Sequence, residues 1–376
     1  MKVAFVSKLY PPHPGGLERH VQWLAKALLH CNPHLEAQVI TGQKRRGILK
    51  EEYDGRIFVQ RATTIAHVSS TPITLGFTGL LRDAAADLYH FHFPYPWGEL
   101  AEAGARLKAP IIVTFHMDIV RQKVLLLLYR PFLNRFLERA KRIIVWSPEL
   151  ATSSPFLTQH KKKLVVIPGG IETQKFQPTD HSRLRASQLR ASLAGDQRMI
   201  LFIGRFVYYK GLEYLIAAMK QVPGVLVLVG EGPLRKPLTD LAQALGLAER
   251  VKFAGLVEDE ELPVYYQASD VFVLPSSANT EAYGLVQVEA HASGIPVVST
   301  DLPTGVKFVN QHGQTGLVVP PRNAHALAAA LNRLLEDDEL RTRLGKQAQR
   351  RAIRQFDISA CAEATLQLYR EVLSDQ

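Results

Sequence analysis

The sequence predicts an α/β fold with two doubly wound, Rossmann-like domains. Strand-like apolar runs alternate with helix-like segments along the chain, which is the pattern of parallel sheets covered by helices. The alternation starts afresh after a polar stretch at 172–186, which we expect to be the linker between the domains. The length of 376 residues also suits two domains that each bury a core of their own.

Short apolar runs of β-favouring residues predict the strands of both domains. In the first domain the runs are KVAFVSK, QVITG, LYHFHF, PIIVTFH, RIIVWS and LVVIPGG. In the second they are MILFIGR, VLVLVG, VKFAGLV, VFVLPSS, PVVSTD and TGLVVPP. Helices are predicted at 17–30, 99–107, 120–141, 211–221, 234–245 and 284–293, with a last one from about 325 to the end. We therefore place the first domain at 1–175 and the second at 186–356.

The composition indicates a soluble globular protein. Hydrophobic residues make up 47% of the chain and charged residues 21%, so it can bury cores and does not resemble a disordered chain. The two cysteines, Cys31 and Cys361, lie at opposite ends without disulfide or metal spacing, which favours the reducing cytoplasm. The first residues predict a strand and a turn rather than a signal peptide. No apolar run reaches the roughly 18 residues of a membrane helix.

The net charge of +10 is concentrated in the first domain. Residues 1–175 hold 24 Lys and Arg against 13 Asp and Glu, whereas the remainder holds 21 against 22. A basic surface serves nucleic acid, anionic lipid or a phosphorylated substrate. Because the sequence has no helix-turn-helix, zinc-finger or RNP-type motif, we expect no nucleic-acid partner.

The most informative segment runs from Val271 to Thr300 and predicts a β-loop-α-β unit with two carboxylates, Glu281 and Glu289. Glu281 falls at the carboxyl end of the strand, where open α/β sheets bind ligands, and Glu289 lies two helical turns further on. The helix N-terminus between them, Gly284–Val286, offers free amides to an anion. A sugar, a diphosphate and a ribose laid end to end would fit this site. Two glutamates at such a spacing are, however, more often solvated helix residues.

This Glu-x7-Glu segment resembles the signature of the retaining GT-B glycosyltransferases of family 4. The resemblance implies that Glu281 lies by the donor sugar and that Glu289 binds the ribose of the nucleotide. It also implies two domains that face a central cleft and a last helix, within 357–376, that crosses back to the first domain. The resemblance covers nearly the whole chain, because four motif blocks follow one another in the family's order.

A second motif, GRFVYYKG at 204–211, follows the first strand of the second domain. Arg205 and Lys210 suit a diphosphate there, because both are cationic and arginine binds bidentately; an exposed basic pair is the alternative. The segment resembles the family's Gly-Arg…Lys-Gly element, and the two cations would stabilise the charge on the leaving nucleoside diphosphate. With His116, discussed below, the predicted catalytic residues are His116, Arg205, Lys210 and Glu281.

Two glycine-containing turns complete the predicted donor site. PPHPGGLERHV at 11–21 opens a helix, and its paired glycines let backbone approach a ligand, although such a pair is often a simple turn. The resemblance places this loop at the donor phosphate and VGEGPLR, 229–235, near the nucleoside, with backbone contacts to the base just after the third strand. The predicted donor-binding residues are Gly15, Gly16, Gly230, Gly232, Leu256, Val257, Ala282, Tyr283, Gly284, Leu285, Val286 and Glu289.

The first domain holds His116 and the predicted acceptor residues. A histidine at a strand end is usually structural, but the resemblance places His116 at the donor sugar and lets Asp118 shape the loop. The aromatic residues of HFHFPYPWGE suit either stacking on an acceptor sugar or ordinary packing. The predicted acceptor residues are His92, Tyr95, Trp97, Asp118, Arg121 and Lys123.

Segment 119–142 interleaves leucine and phenylalanine with arginine and lysine. The pattern predicts either an interfacial helix on anionic lipid or a core-facing helix with a basic outer side. In the first case the protein would be peripheral on the inner face of the plasma membrane. In the second it would be cytoplasmic without that contact.

The resemblance also implies the reaction. It implies same-face attack, in which the departing phosphate helps to deprotonate the acceptor, with the nucleotide sugar as co-substrate and no resident cofactor. The absence of an Asp-x-Asp motif predicts no metal. The segments around 116–133 and 301–321 most resemble bacterial mannosyltransferases of surface-polysaccharide assembly, which implies GDP-mannose and a polyprenyl-diphosphate-linked glycan acceptor.

Two positions depart from that pattern, since Met117 stands where serine is commoner and Gly169 where asparagine is. Three alternatives stay open: a UDP-sugar transferase, for instance of N-acetylglucosamine, a UDP-sugar 2-epimerase, and a non-catalytic nucleotide-sugar binder. The sequence predicts no oligomeric state.

Overall fold

A computed structural model of the chain describes residues 1–13, 15–43, 49–53, 55–68, 71–119 and 123–375. For 49–53 and 123–125 the backbone alone is described. The chain forms two compact units. Unit 1 comprises Met1–Gly170 and Ile358–Gln376, and unit 2 comprises Ile171–Asp357.

Unit 1 contains a sheet with a parallel centre. Its strands are β1 (Lys2–Val6), β2 (Glu36–Gln43), β3 (Leu49–Tyr53), β4 (Ile57–Val68), β5 (Thr71–Thr74), β6 (Leu88–Phe93), β7 (Ile111–Phe115), β8 (Arg142–Val145) and β9 (Leu164–Val166). Over the described residues the order is β3-β4-β2-β1-β6-β7-β8-β9, with β5 paired to β4. Only β3 and β5 run antiparallel to their neighbour there. The buried runs of β1, β6 and β7 show why the centre is parallel, since such strands are covered on both faces.

The helices of unit 1 lie along this sheet. They are α1 (Gly16–Cys31), α2 (Phe77–Asp83), α3 (Pro96–Ala105), α4 (Lys123–Arg139), α5 (Pro148–Ser153) and α15 (Ile358–Ser374). Helix α15 packs on α1 and buries an apolar stripe that includes Leu366 and Tyr369. The prediction that the last helix returns to the first domain is therefore confirmed.

Unit 2 contains a second, wholly parallel sheet over the described residues. Its strands are β10 (Met199–Ile203), β11 (Val225–Val229), β12 (Val251–Gly255), β13 (Val271–Leu274), β14 (Val297–Thr300) and β15 (Gly316–Val319), in the order β12-β11-β10-β13-β14-β15. The helices are α6 (Thr173–Phe176), α7 (Asp180–Leu193), α8 (Leu212–Ala218), α9 (Arg235–Ala244), α10 (Leu262–Ala268), α11 (Leu285–Ala292), α12 (Val306–Val309), α13 (Ala324–Glu336) and α14 (Asp338–Gln355). Each predicted run contains a strand, so the predicted fold class is confirmed.

The structure corrects two predicted segments. The stretch 172–186 is not a linker: α6 and much of α7 occupy it, and both belong to unit 2. Thr179 explains this, because its hydroxyl and that of Ser182 form a capping box that starts α7 inside a polar sequence. The single helix predicted from 325 to the end is three helices. One break falls at Asp337, whose extended backbone and carboxylate cap α14.

Strands β3, β4 and β5 escaped prediction from the sequence. They extend the edge of the sheet of unit 1 beyond β2, where β4 runs parallel to β2 and the other two pair antiparallel to β4. Their sequences mix polar and apolar residues without the continuous apolar run of a buried strand. β4 is paired on both sides, but buried and exposed residues mix along its first part and its last four residues are exposed, so it lacks the continuous apolar run of a central parallel strand.

No helix in the part of the chain that the structure describes is both long and apolar enough to cross a membrane.

Candidate functional site

The carboxyl edge of the sheet of unit 2 brings together two of the predicted catalytic residues. Lys210 ends a short 3-10 helix, Tyr208–Lys210, after β10, and Glu281 follows β13. Because β10 and β13 are neighbours, the two loops meet, and the Lys210 ammonium lies 2.5 Å from Oε2 of Glu281. The Ser276 hydroxyl donates to the same oxygen at 2.8 Å. Lys210 and Glu281 therefore form a buried cluster with Ser276, and they are not solvated side chains.

The charges in this cluster are maintained by one another. Lys210 and Glu281 are 8% and 7% exposed, and burial alone would lower the pKa of the lysine. The carboxylate of Glu281 and the neighbouring Tyr209 reverse that effect, so the pKa of Lys210 is raised above its usual value. Lys210 is therefore a permanent cation at neutral pH, as binding of a diphosphate requires.

Helix α11 begins next to this cluster. Its N-cap, Gly284, has a φ of 75°, and a Cβ there would lie 2.6 Å from a methyl group of Leu274. Glycine is therefore required for the turn that aims the helix N-terminus at the carboxyl edge. The first amides of a helix lack intrahelical acceptors and favour anions. The start of α11 is thus suited to a phosphate group.

Glu289 lies one turn further along α11 and is almost fully buried, with 1% exposed. Its Oε2 accepts a hydrogen bond of 2.7 Å from the hydroxyl of Tyr266 on α10. Burial of this carboxylate excludes the solvated-helix alternative for Glu289, since a solvated glutamate would extend into water.

The glycines after β11 are needed for packing between loops. A Cβ on Gly230 would lie 2.1 Å from the carbonyl oxygen of Gly204, and one on Gly232 would lie 2.4 Å from that of Phe206. The amide of Phe206 donates to Glu231 at 2.9 Å, which joins this turn to the loop after β10. Glycine is therefore needed at both positions because two backbone segments approach each other closely there. This need does not by itself indicate a ligand.

The other predicted donor residues of unit 2 lie along the same edge. Arg205, just past β10, is exposed, and Leu256, just past β12, is 80% exposed. Tyr283 is buried against Phe308 and Phe356. The remaining residues are half-buried and stand in the loops or in the first turn of α11; they are Val257, Ala282, Leu285 and Val286. The structure therefore leaves Arg205 accessible to a ligand.

The predicted residues of unit 1 at the first loop are Gly15 and Gly16. Gly15 is the N-cap of α1 in an extended conformation, and Gly16 is its first residue. A Cβ on Gly15 would lie 2.0 Å from the carboxylate of Glu18 on the same helix. The close neighbour is the end of a flexible side chain, so the structure supplies no backbone constraint that demands glycine here.

Two predicted histidines form a hydrogen-bonded pair at the carboxyl edge of the sheet of unit 1. Nδ1 of His92, in β6, lies 3.0 Å from Nε2 of His116, just after β7. His90, also in β6, binds Tyr369 and Thr114 through its two nitrogens, at 2.6 Å each. Burial, and then repulsion from the neighbouring imidazoles, lowers the pKa of His92 and His116 well below the usual value. The rings are therefore neutral, and one of them donates to the other.

Of the predicted acceptor residues, Tyr95 packs in the core. It is 1% exposed, its ring meets Phe77 edge-on at 5.3 Å, and its hydroxyl lies 3.4 Å from that of Thr74. Trp97 is half-buried and donates to the Thr74 carbonyl at 2.8 Å. The packing alternative thus describes Tyr95, whose ring face is not open for a sugar to stack on.

Asp118 accepts a hydrogen bond of 2.6 Å from the Ser154 hydroxyl, while burial raises its pKa. Arg121 lies outside the described residues, and Lys123 begins α4 with a side chain that is not described. Among the described residues, no group of three or more His, Cys, Asp or Glu side chains could hold a metal ion.

Two contact residues in unit 2 were not predicted. Ser276 and Tyr266 donate to Glu281 and Glu289, respectively, from five and 23 residues away. Ser276 follows β13 in the segment LPSS and could have been found as a polar residue at a strand end. Tyr266 carried no such signal, because a tyrosine in an apolar helix is usually core.

Comparison with known proteins covers the whole chain. Residues 14–175 match the family described as Glycosyltransferase Family 4, and residues 186–351 match the family described as Glycosyl transferases group 1. The chain is 32% identical to the O-antigen chain mannosyltransferase C of Escherichia coli, across 100% of both chains. It is 37% identical to the D-rhamnosyltransferase WbpZ of Pseudomonas aeruginosa, over 78% of this chain and 76% of that protein. The sucrose-phosphate synthase structure from Thermosynechococcus elongatus superposes with a TM-score of 0.84 and 27% identity over 100% of both chains.

Proposed function

Because the chain belongs to the family 4 (group 1) glycosyltransferases and has their GT-B fold, we propose that it transfers mannose from GDP-mannose to a hydroxyl of a glycan acceptor. We propose further that the anomeric configuration is retained and that the acceptor is carried on a lipid diphosphate in surface-polysaccharide synthesis. The full-length similarity to an O-antigen mannosyltransferase supports the sugar and the pathway class. The similarity to a rhamnosyltransferase supports a hexose or a deoxyhexose as the sugar of the donor.

The observation that carries the proposal is the order of groups along the carboxyl edge of unit 2. Glu281 with Lys210, the N-terminus of α11 and Glu289 follow one another, as a sugar, a diphosphate and a ribose do in a nucleotide sugar. In the proposed reaction the bond between the sugar C1 and the diphosphate oxygen breaks, and a bond from C1 to the acceptor oxygen forms on the same face. The acceptor proton passes to the departing phosphate. Arg205 and Lys210 stabilise the charge that develops on the diphosphate.

A donor panel tests this proposal. The purified protein is offered GDP-mannose, UDP-glucose, UDP-galactose or UDP-N-acetylglucosamine with a polyprenyl-diphosphate glycan, and release of GDP or UDP is measured. We expect release from GDP-mannose and an α-linked product by NMR. Turnover of UDP-N-acetylglucosamine alone would refute the mannosyl proposal. Conversion of a UDP-sugar without acceptor would show an epimerase, and binding without any turnover would show a non-catalytic binder.

Two substitutions separate the roles of the site residues. Lys210→Ala mainly slows turnover, because the cation acts most strongly on the departing diphosphate, whereas Glu289→Ala mainly weakens binding of GDP. Lys220→Ala, which removes an exposed lysine of the same unit, serves as the matched control. Wild-type activity in both site variants would show that this edge of the sheet is not the donor site.

We also propose that α4 contacts an anionic membrane. Its inner face is buried through Leu133, Phe136 and Leu137, so the core-facing alternative holds for that side. Its outer face nevertheless carries three exposed apolar side chains, 73%, 74% and 55% exposed, at Leu127, Leu128 and Phe132. The exposed Arg130 and Arg135 stand among them on the same helix. Apolar and cationic groups on one outer face match a lipid interface with anionic headgroups.

Vesicle sedimentation tests this contact. We expect binding to vesicles that contain phosphatidylglycerol, less to pure phosphatidylcholine, and a loss when Leu127, Leu128 and Phe132 are changed together to serine. Leu184→Ser is the control, because Leu184 is 61% exposed on α7 of unit 2. Equal binding by the triple variant and the control would refute the contact. The two free cysteines support the cytoplasmic face as the side of the membrane concerned.

A further inference from the structure

We propose that Tyr266 is a positioning residue, whose hydroxyl holds the carboxylate of Glu289 in the orientation that binds the ribose of the nucleotide. This inference rests on the proposed function, in which Glu289 receives the ribose. It assigns a role to a side chain that no sequence motif indicated.

The contact is short and shielded from water. The Tyr266 hydroxyl donates to Oε2 of Glu289 at 2.7 Å, and the carbonyl oxygen of Val286 lies 3.2 Å from the same hydroxyl. Tyr266 is 0% exposed and Glu289 is 1% exposed. A hydrogen bond from a neutral hydroxyl to a carboxylate is stronger than one between neutral groups, and burial increases that difference.

The tyrosine ring is held in place by its neighbours. The ring centre lies 5.9 Å from that of Phe176, at 75°, and 5.4 Å from that of Phe272, at 52°. Phe176 is in α6 and Phe272 is in β13, so the ring is packed from a helix and from the sheet. The packing therefore fixes the position of the hydroxyl oxygen. The hydrogen bond from this hydroxyl then orients the carboxylate of Glu289.

A fixed carboxylate matters for ribose because the two vicinal hydroxyls of a ribose can both donate to one carboxylate that is suitably oriented. A glutamate side chain has three rotatable bonds, and ordering it on binding would cost conformational entropy. Tyr266 orders the carboxylate before the nucleotide arrives, which favours binding of the ribose diol over a deoxyribose.

The test measures the contribution of the ribose hydroxyls rather than affinity alone. GDP, UDP and their 2′-deoxy and 3′-deoxy forms are titrated calorimetrically into wild type, Tyr266→Phe and Glu289→Ala. We expect Tyr266→Phe to weaken ribonucleotide binding about fivefold to tenfold and to reduce the preference for ribose over deoxyribose. The KM for the sugar nucleotide rises by a similar factor, and kcat changes little.

Tyr369→Phe provides the matched control. Tyr369 is also fully buried, and its hydroxyl makes a hydrogen bond of 2.6 Å, but to His90 in unit 1. This control loses stability without losing nucleotide affinity. Far-UV circular dichroism and thermal unfolding confirm that each variant is folded.

The outcomes separate the inference from its premise. Equal weakening of ribo- and deoxynucleotides by Tyr266→Phe would overturn the positioning role and show a general structural effect. Unchanged binding by Tyr266→Phe together with weakened binding by Glu289→Ala would overturn the inference alone. Unchanged binding by Glu289→Ala would overturn the proposed ribose site itself.

Discussion

Acidification tests whether the buried imidazoles of unit 1 are neutral. His20, on α1, is 1% exposed, its Nδ1 lies 3.1 Å from the carbonyl oxygen of Gly170, and its ring meets Trp146 edge-on at 4.6 Å. Since a carbonyl can only accept, Nδ1 carries the hydrogen. In His20→Asn the amide group takes the place of Nδ1–H as the donor, and the group that titrates is removed.

Burial lowers the pKa of His20 from 6.5 to about 4, although the hydrogen bond to Gly170 partly opposes that shift. Between these two values the unfolded chain binds a proton that the folded chain does not, so stability falls as the pH falls. A pH of 5 is about 1.5 units below the pKa of the histidine in the unfolded chain. At 1.36 kcal/mol per unit, the free energy of unfolding is therefore lower by about 2 kcal/mol at this pH. Above pH 7.5 the effect is absent.

Urea unfolding at pH 7.5 and pH 5 measures the difference. The three tryptophans, Trp23, Trp97 and Trp146, all belong to unit 1, so their fluorescence follows that unit alone. Between the two pH values we expect the wild type to lose about 2 kcal/mol more than His20→Asn. Glu99, whose burial raises its pKa to about 8, acts in the opposite direction but is present in both proteins and cancels. Parallel pH dependences of the two proteins would refute a neutral, buried His20.

Glycine substitutions test the close backbone contacts. A Cβ on Gly316 would lie 1.9 Å from the Val297 carbonyl oxygen. Gly316→Ala is therefore expected to destabilise unit 2 by about 3 kcal/mol, as measured by urea unfolding followed by circular dichroism. Gly79→Ala, in α2 with no atom within 4 Å of the new Cβ, is expected instead to stabilise unit 1 by about 0.5–1 kcal/mol; a loss of stability there would contradict the helical assignment. The Asp270 carboxylate accepts hydrogen bonds from two arginines and from a backbone amide of β10. Asp270→Ala is therefore expected to lower the free energy of unfolding by about 3 kcal/mol. A decrease below about 1 kcal/mol would show that this network is screened by solvent.

Much of the fold could be predicted because its signals are local. Buried parallel strands need continuous apolar runs, and the runs around β1, β6, β10 and β13 are short, apolar and bounded by turn residues. Strand β4 lacks that signal, because buried and exposed residues mix along it and its last four residues are exposed. Helix ends were less predictable, since Thr179 and Asp337 begin helices through side-chain caps inside polar stretches.

The candidate site divides in the same way. The sequence by itself determined that Lys210 and Glu281 follow strands and that Glu289 lies on the next helix, because strands, turns and helix starts are encoded within a few neighbouring residues. Only the tertiary structure decided which of these side chains contact one another. Lys210 pairs with Glu281 across 71 residues because β10 and β13 are adjacent, and Tyr266 reaches Glu289 because α10 packs beside α11. Strand order and helix packing are set by the whole core, so no local pattern carries these contacts.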